Sequence, residues 1–458
     1  MTIKKANVCI DWNCMDRDTV RPSVRHFPGQ IARRYTARAE KYMATTTLDE
    51  GFVWARDKPA IGPWCTDVDG NILLDFVSHI ASAPFGYNHP EILRLMEKFP
   101  KADPDRFAGT DFLAAYDGDF PTVADLHEKV VQITKQFGFN MALFSNSGAE
   151  SIENAIKICY NARHAEGYGV CFDGAFHGRT LGALSLNRSK AVQREYYPQI
   201  PNIVSFPFCS CLGKCTCGWE TRSRKGKIEN KIHQWLDKES GIVRADEVSY
   251  VILEPIQGEG GYNIPRRDFI RSVYKEAQSN GIPVISDEIQ AGLGRTGEWW
   301  ACENFGVKPD VIAAAKGLRV GATISTRKFF PTEKGRISGT WAEGNALASA
   351  VGWKTIDIIQ REKLLLNARK NGAYFLKRLR ELLRYDSVID ARGLGLMDAI
   401  EFDLKKTRDE VEERCLKKGL ILVGAGYKTL RFLPPLNVTK REIDVAVDIL
   451  NDVVRKIR

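Results

Sequence analysis

A carboxylate and a lysine close two short apolar runs, Ile282-Pro-Val-Ile-Ser-Asp287 and Val311-Ile-Ala-Ala-Ala-Lys316. If both runs are parallel strands of an open α/β sheet, Asp287 and Lys316 sit at carboxyl ends, where such folds bind ligands. A carboxylate beside a pyridine nitrogen keeps it protonated, so that the ring accepts electrons from a substrate carbanion. A lysine amine forms an imine with an aldehyde. The pair is what is needed to hold pyridoxal phosphate by both ends of its ring. Either residue alone reads as an acidic turn after a buried strand or as a solvated lysine. The case rests on the groups that accompany them.

Ser145-Asn-Ser147-Gly148-Ala149-Glu150 has Ser147 and Glu150 at capping-box spacing. This predicts a helix start there, with the free amides of Gly148 and Ala149 aimed at an anion such as phosphate. Gly174-Ala-Phe176-His177-Gly-Arg179 puts an aromatic and an arginine in a glycine-flanked loop. Phe176 could stack on a ring and Arg179 could form a bidentate pair with a carboxylate. Without a ligand, Phe176 would be core and Arg179 a surface ion pair. Val251-Ile-Leu-Glu254-Pro-Ile-Gln257-Gly-Glu259 is a further strand ending in acidic residues, and Thr429-Leu-Arg431 offers a second carboxylate binder.

The elements that must position these groups follow from periodicity. Between about residues 80 and 345, apolar strands alternate with helical stretches, which predicts an α/β fold with a mostly parallel sheet covered by helices. Residues 1 to about 45, with Pro22, Pro28 and Gly29, read as an irregular arm that leads to a hairpin around Asp69-Gly70. After Thr340 come long amphipathic helices, Ala346 to Gln360 and Lys363 to Leu383, then a small α+β region. Its last helix starts at a capping box, Thr439-Lys-Arg-Glu442, ahead of Ile443, Val445, Val447 and Leu450. The expected division is residues 1–79 as an N-terminal arm and part of a small domain, 80–345 as a large cofactor-binding domain, and 346–458 as the C-terminal small domain. A chain of 458 residues suits such a pairing of one large and one smaller unit.

Composition narrows the partners. A hydrophobic content of 44% with 27% charged residues is that of an ordinary globular protein. No run of about 18 uncharged apolar residues occurs, and the first residues lack the apolar core of a secretory signal, so no membrane partner and a cytoplasmic location are expected. The net charge of +9, from 66 basic and 57 acidic residues, is spread along the chain without a basic arm. Nucleic acid is therefore not an expected partner.

The ordered motifs Ser147-Gly-Ala-Glu150, Phe176-His-Gly-Arg-Thr180, Glu254-Pro-Ile-Gln-Gly-Glu-Gly-Gly261, Asp287-Glu-Ile-Gln290, Gly294-Arg-Thr-Gly297, Ala315-Lys-Gly317 and Arg431-Phe-Leu-Pro-Pro435 resemble those of the class III aminotransferases. These are pyridoxal-phosphate enzymes of fold type I, and the resemblance runs from about Val68 to Val447. Pro84-Phe-Gly-Tyr-Asn-His-Pro90, Gly339-Thr-Trp341 and the lack of a Gly-Gly pair after the lysine look most like the 4-aminobutyrate and lysine 6-aminotransferase branch.

The resemblance implies that Lys316 forms the imine with the cofactor and later shuttles the proton between substrate and cofactor carbons. It implies Asp287 on the pyridinium nitrogen, Gln290 on the phenolic oxygen, Phe176 on the ring face, and Ser147, Gly148 and Ala149 at the phosphate. His177 and Glu254 complete that cofactor site. Thr340 would reach the phosphate of a neighbouring subunit, which makes the expected assembly a homodimer with active sites at the interface, or a tetramer of such dimers. Arg179 and Arg431 match the two carboxylate binders of the family. Glu259 would pair with Arg431 when an ω-amino acid is bound and move aside for the α-carboxylate of glutamate. Ile80, with Phe85 and Trp341, would line the substrate pocket. The implied reaction is ping-pong transfer of an ω-amino group from 4-aminobutyrate, lysine, ornithine or a similar donor to 2-oxoglutarate, giving a semialdehyde and glutamate.

Three features depart from that pattern, one being the loop Thr340-Trp-Ala-Glu-Gly-Asn345, which differs slightly from the family's. Lys316-Gly-Leu-Arg319 places a large cation near the lysine, facing either the substrate or a partner subunit. In the loop 207–218, Cys209-Ser-Cys211-Leu-Gly-Lys-Cys215-Thr-Cys217 carries four of the eleven cysteines. These are ligands enough for tetrahedral zinc or an iron–sulfur centre, or they form a loop of reduced, redox-sensitive thiols. Two other functions compete with transamination: a pyridoxal-phosphate amino-acid racemase on the same fold, and a non-enzymatic metal-binding protein on this scaffold.

Overall fold

The computed structural model describes residues 15–44, 52–99, 109–110, 113, 115, 120–164, 167–222, 228–237, 239, 241, 243–337 and 343–457. Its largest sheet is built from β1 (Met141–Ser145), β2 (Tyr168–Phe172), β3 (Ile203–Phe206), β4 (Val248–Leu253), β5 (Val284–Asp287), β6 (Val311–Ala314) and β7 (Gly321–Ser325). The order across the sheet is β1-β7-β6-β5-β4-β2-β3. Only β7 runs against its neighbours, and every other pair is parallel. This is the mostly parallel, helix-covered sheet that the sequence predicts, with a smaller antiparallel sheet beside it.

The central strands are apolar on both sides because both faces are covered. On one face Ile252, Ile285 and Ala313 pack with Ile152, Ile156 and Cys159 of α1 (Gly148–Arg163). On the other, Val251, Leu253, Val284 and Ile312 join Phe269, Ile270 and Val273 of α2 (Arg267–Ser279). Each such fully buried aliphatic chain stabilises the fold by ~1.5–3 kcal/mol. With the faces covered by helices, the carboxyl ends of the strands are where such a sheet binds ligands.

The smaller antiparallel sheet joins strands Val388–Leu394, Met397–Phe402, Thr429–Phe432 and Val423–Ala425. α4 (Leu364–Arg380) and the helix Lys405–Lys417 pack on it, and α3 (Ala346–Arg361) and α5 (Lys440–Val454) pack in turn against α4. The Thr439–Glu442 capping box forms in both directions. The hairpin turns at Gly70, φ 90°, between Trp64–Thr66 and Ile72–Asp75, and the second strand also pairs with Leu420–Ile421.

The arm expected to be irregular contains a helix, Gln30–Glu40. Gly29 offers no cap, but the carboxylate of Asp69, from the distant hairpin, accepts the amides of Ile31 and Ala32, both at 2.8 Å. Among the described residues, no helix is long and apolar enough to cross a membrane.

Candidate active site

Strands β5 and β6 are parallel neighbours, with Asp287 opposite Ala313. Lys316 follows two residues after the end of β6, so the carboxylate and the amine reach the same edge of the sheet. There they line a cavity of about 420 Å³. Its wall also includes Ile80, Gly148, Ala149, Phe176, His177, Arg179, Glu254, Glu259, Gln290 and Arg431. Ser147 caps the neighbouring helix without lining the cavity, Phe85 is buried in the core, and Arg319 lies outside the wall. Thr340 and Trp341 lie outside the described residues.

Asp287 is buried, with Oδ2 at 2.7 Å from Nδ1 of His177 and Oδ1 accepting the amide of Ile289 at 3.1 Å. The histidine is fixed in turn by its backbone amide, which donates to Asn187 at 2.7 Å. A buried carboxylate favours a cation beside it, and a protonated ring nitrogen would be one.

Lys316 is half-buried and adopts φ 49°. Side-chain-bearing residues hold that left-handed conformation only where the surroundings impose it. Burial, and after it the nearby Arg431, push its amine down to about 7. A large share is therefore unprotonated, and nucleophilic, at neutral pH.

α1 begins where its cap predicts, with Ser147 Oγ accepting the amide of Glu150 at 3.2 Å. The reciprocal bond of the expected capping box is displaced by one residue, because the Glu150 carboxylate accepts from Asn146 at 2.7 Å. Gly148 and Ala149 thus present the positive end of the helix to the cavity. Behind this turn, Gly321 at the start of β7 admits no side chain: a Cβ there would lie 2.2 Å from the carbonyl oxygen of Ser147.

Glu254 accepts the amides of Phe176 at 2.9 Å and Gly258 at 2.7 Å, and burial pushes it up to about 7. Its place is therefore to hold the Phe176 loop. The Arg179 guanidinium stands 5.9 Å from the Phe176 ring centroid and is exposed at the mouth. Gln290 accepts from the Tyr262 hydroxyl at 2.9 Å, which leaves its amide nitrogen to donate elsewhere.

Arg431 is buried, with Nη1 3.1 Å from Oε2 of Glu259. The other oxygen, Oε1, is 2.7 Å from Nζ of Lys190. Burial would raise Glu259, yet Arg431 and then Lys190 hold its carboxyl below the usual range. Nε of Arg431 has no hydrogen-bond partner, so the guanidinium keeps a donor in reserve.

Sequence reasoning missed Lys190, which lies 69 residues from Glu259 with no motif around it. It also missed the wall residues Arg408 and Glu412. A third omission is the turn bearing Ile80, where Ser78, His79, Ile80 and Ala81 have φ of 49°, 51°, 54° and 65°. Asp75 Oδ1 holds this left-handed segment by accepting the amides of Val77 at 2.7 Å and Ser78 at 2.9 Å. An aspartate three residues before the first left-handed residue was the available signal.

Residues 52–454 match the family model for class III aminotransferases. The chain belongs to that family. Alanine/serine racemase from Pyrococcus horikoshii is 30% identical over 445 residues, covering 93% of this chain and 91% of that protein. Acetylornithine aminotransferase from Methanosarcina acetivorans is 30% identical over 431 residues, covering 92% and 97%. Among solved structures, lysine aminotransferase from M. tuberculosis superposes with a TM-score of 0.76 at 25% identity, covering 92% of this chain and 98% of the other.

This class III aminotransferase is a pyridoxal-phosphate enzyme, and its cavity fits that cofactor. A helix N-terminus, an aromatic face, a buried carboxylate and a depressed lysine converge on one space of suitable size. The four cysteines of the loop 207–218 are not part of its wall.

Proposed function

We propose that this aminotransferase moves the ω-amino group of ornithine, acetylornithine, lysine, 4-aminobutyrate or a similar donor to 2-oxoglutarate, giving a semialdehyde and glutamate. The observation that carries this reading is Glu259 held between Arg431 and Lys190, at 3.1 and 2.7 Å. An ω-amino donor has no carboxylate beside the reacting carbon, so Arg431 keeps Glu259 as its counterion while Arg179 takes the far carboxylate. 2-Oxoglutarate brings a second carboxylate, which replaces Glu259 on Arg431, and Lys190 then retains the displaced side chain. No charge is left buried without a partner in either half-reaction. The names of the acetylornithine and lysine aminotransferase relatives support donors of this kind.

When bound, pyridoxal phosphate supplies the electron sink for deprotonating the carbon that bears the amine. Gly148 and Ala149 would hold its phosphate through their amides, Asp287 its ring nitrogen, Phe176 its ring face and Gln290 its phenolic oxygen. His177 orients Asp287, and Glu254 orients the loop carrying Phe176. Lys316 takes a proton from the donor carbon and returns one to the cofactor side, which an amine near neutrality can do in both directions. Ile80 and its left-handed turn cover the donor and limit water.

We place the enzyme in the cytoplasm, in keeping with its free thiols, as a homodimer with sites at the interface. Support for the dimer comes from the exposed apolar side chains of Leu181, Val192, Tyr196 and Tyr197, the last three within four residues of the cavity residue Gln193 in the chain.

The 30% identity to alanine/serine racemase favours a second reading, in which Lys316 returns the proton to the opposite face of an α-amino acid. Mixing the holoenzyme with single amino acids and following the cofactor absorbance separates the two. Conversion to the pyridoxamine form by an ω-amino donor, reversed by 2-oxoglutarate, is the expected result. Inversion of one enantiomer without any 2-oxo acid, and no conversion by any ω-amino donor, would replace the first reading with the second.

A further inference from the structure

We propose that Cys209, Cys211, Cys215 and Cys217 bind one zinc ion in a tetrahedral thiolate site that pins the loop after β3 to the start of α2. One sulfur from each of the four residues lies within 4.8 Å of all the others. Two of the spacings are 3.9 Å, Cys209 to Cys215, and 3.5 Å, Cys215 to Cys217. A zinc ion with bonds of ~2.3 Å to four sulfurs requires edges of about 3.8 Å. All four cysteines are free thiols. A multi-iron cluster gives its thiolates different irons and holds them further apart than a single metal does, so the compact set fits one ion.

The chain around the sulfurs is arranged for the same purpose. Backbone amides donate to them, Thr216 to Cys211 and Glu220 to Cys215, each at 3.5 Å, as outer-shell groups do to metal-bound thiolates. Gly213, between the two Cys-x-Cys pairs, takes φ 83°, a left-handed turn in the segment that joins them. Cys209 is fully buried beside Phe208 and Trp219, and the other three are half-buried, so water has limited access. Four thiolates on one zinc carry net negative charge, and Arg266 lies alongside.

Arg266 also explains what the site would accomplish. Its amide donates to the carbonyl of Cys209 at 2.9 Å, its guanidinium donates to Gly213 at 3.2 Å, and it pairs with Glu220 at 3.2 Å. It is the residue that precedes α2. β3 is an edge strand of the sheet, bonded among the described residues only to β2. A metal here would thus fasten the polypeptide leaving an edge strand to the helix that covers the sheet, apart from the chemistry in the cavity. As zinc binds, the thiols release their protons to solvent, and no electron is transferred.

The test is metal analysis of the holoenzyme purified without chelator or added metal. One zinc per chain is expected, released in step with titration of the thiols by an organomercurial. Removing zinc and adding cobalt(II) under anaerobic conditions should produce the visible bands of tetrahedral thiolate cobalt. The Cys211→Ser/Cys215→Ser variant should lose the zinc, keep its cofactor absorbance, and be cleaved faster by protease within the loop 207–218. Three results would overturn the proposal: no stoichiometric zinc even after anaerobic reconstitution, iron with acid-labile sulfide, or an intact mass showing the cysteines paired as disulfides. None of these readouts depends on which donor the enzyme uses.

Discussion

At the scale of single residues, the site depends on charges whose surroundings are not those of water. Lys316 captures an aldehyde only as the neutral amine. With its amine near 7, uptake of pyridoxal phosphate by the apoprotein should level off above that pH and fall about tenfold per unit below it. An amine at the ordinary 10.5 would still be gaining rate far above neutrality. Stopped-flow absorbance against pH measures this limb. Because Arg431 is the second cause of the depression, Arg431→Gln should move the limb upward.

Glu259 and Lys190 invite a split of the two half-reactions. Glu259→Ala leaves Arg431 without a counterion when an ω-amino donor binds, so kcat/KM for donors should drop at least ~tenfold. The 2-oxoglutarate half-reaction should be spared, since no carboxylate has to be displaced. Lys190→Ala should do the reverse, because the displaced Glu259 then has nowhere charged to go. Single-turnover rates for each half-reaction test both, and equal losses in the two would refute the switch.

At the scale of elements, the phosphate end of the site is only as firm as the packing behind it. β7 meets the turn before α1 with no room for a side chain, since a Cβ on Gly321 would stand 2.2 Å from the Ser147 carbonyl oxygen. Gly321→Ala must push that turn outward, and overpacking of this kind costs ~1–3 kcal/mol. The expected outcome is a cofactor dissociation constant raised about tenfold or more, with little change in far-ultraviolet circular dichroism. Equilibrium dialysis of the cofactor checks it. An unchanged constant would mean that the turn gives way without moving the amides of Gly148 and Ala149.

At the scale of the whole molecule, the exposed apolar side chains of Leu181, Val192, Tyr196 and Tyr197 are where the proposed dimer is tested. Sedimentation equilibrium of the holoenzyme should return twice the chain mass. Val192→Asp, with a side chain 72% exposed in the isolated chain, should shift the equilibrium toward monomer and weaken cofactor retention together. A wild-type monomer with full activity would remove the interface from the mechanism.

Much of this was legible in the sequence because the signals are local. An apolar run that stops at a polar residue, as at Asp287 and Lys316, carries its own prediction of a strand end. Ser147 and Thr439 likewise announce helix starts through bonds made within a few residues. What only the tertiary structure decided are partnerships across long stretches of chain, where no periodicity links the two positions. His177 reaches Asp287 across 110 residues, Lys190 reaches Glu259 across 69, and Asp69 caps a helix 37 and 38 residues before it. The antiparallel insertion of β7 between β1 and β6 is of the same kind. A residue pattern encodes which face of an element is apolar, but which elements lie side by side is settled when those faces are buried together, and the charged partners follow from that arrangement.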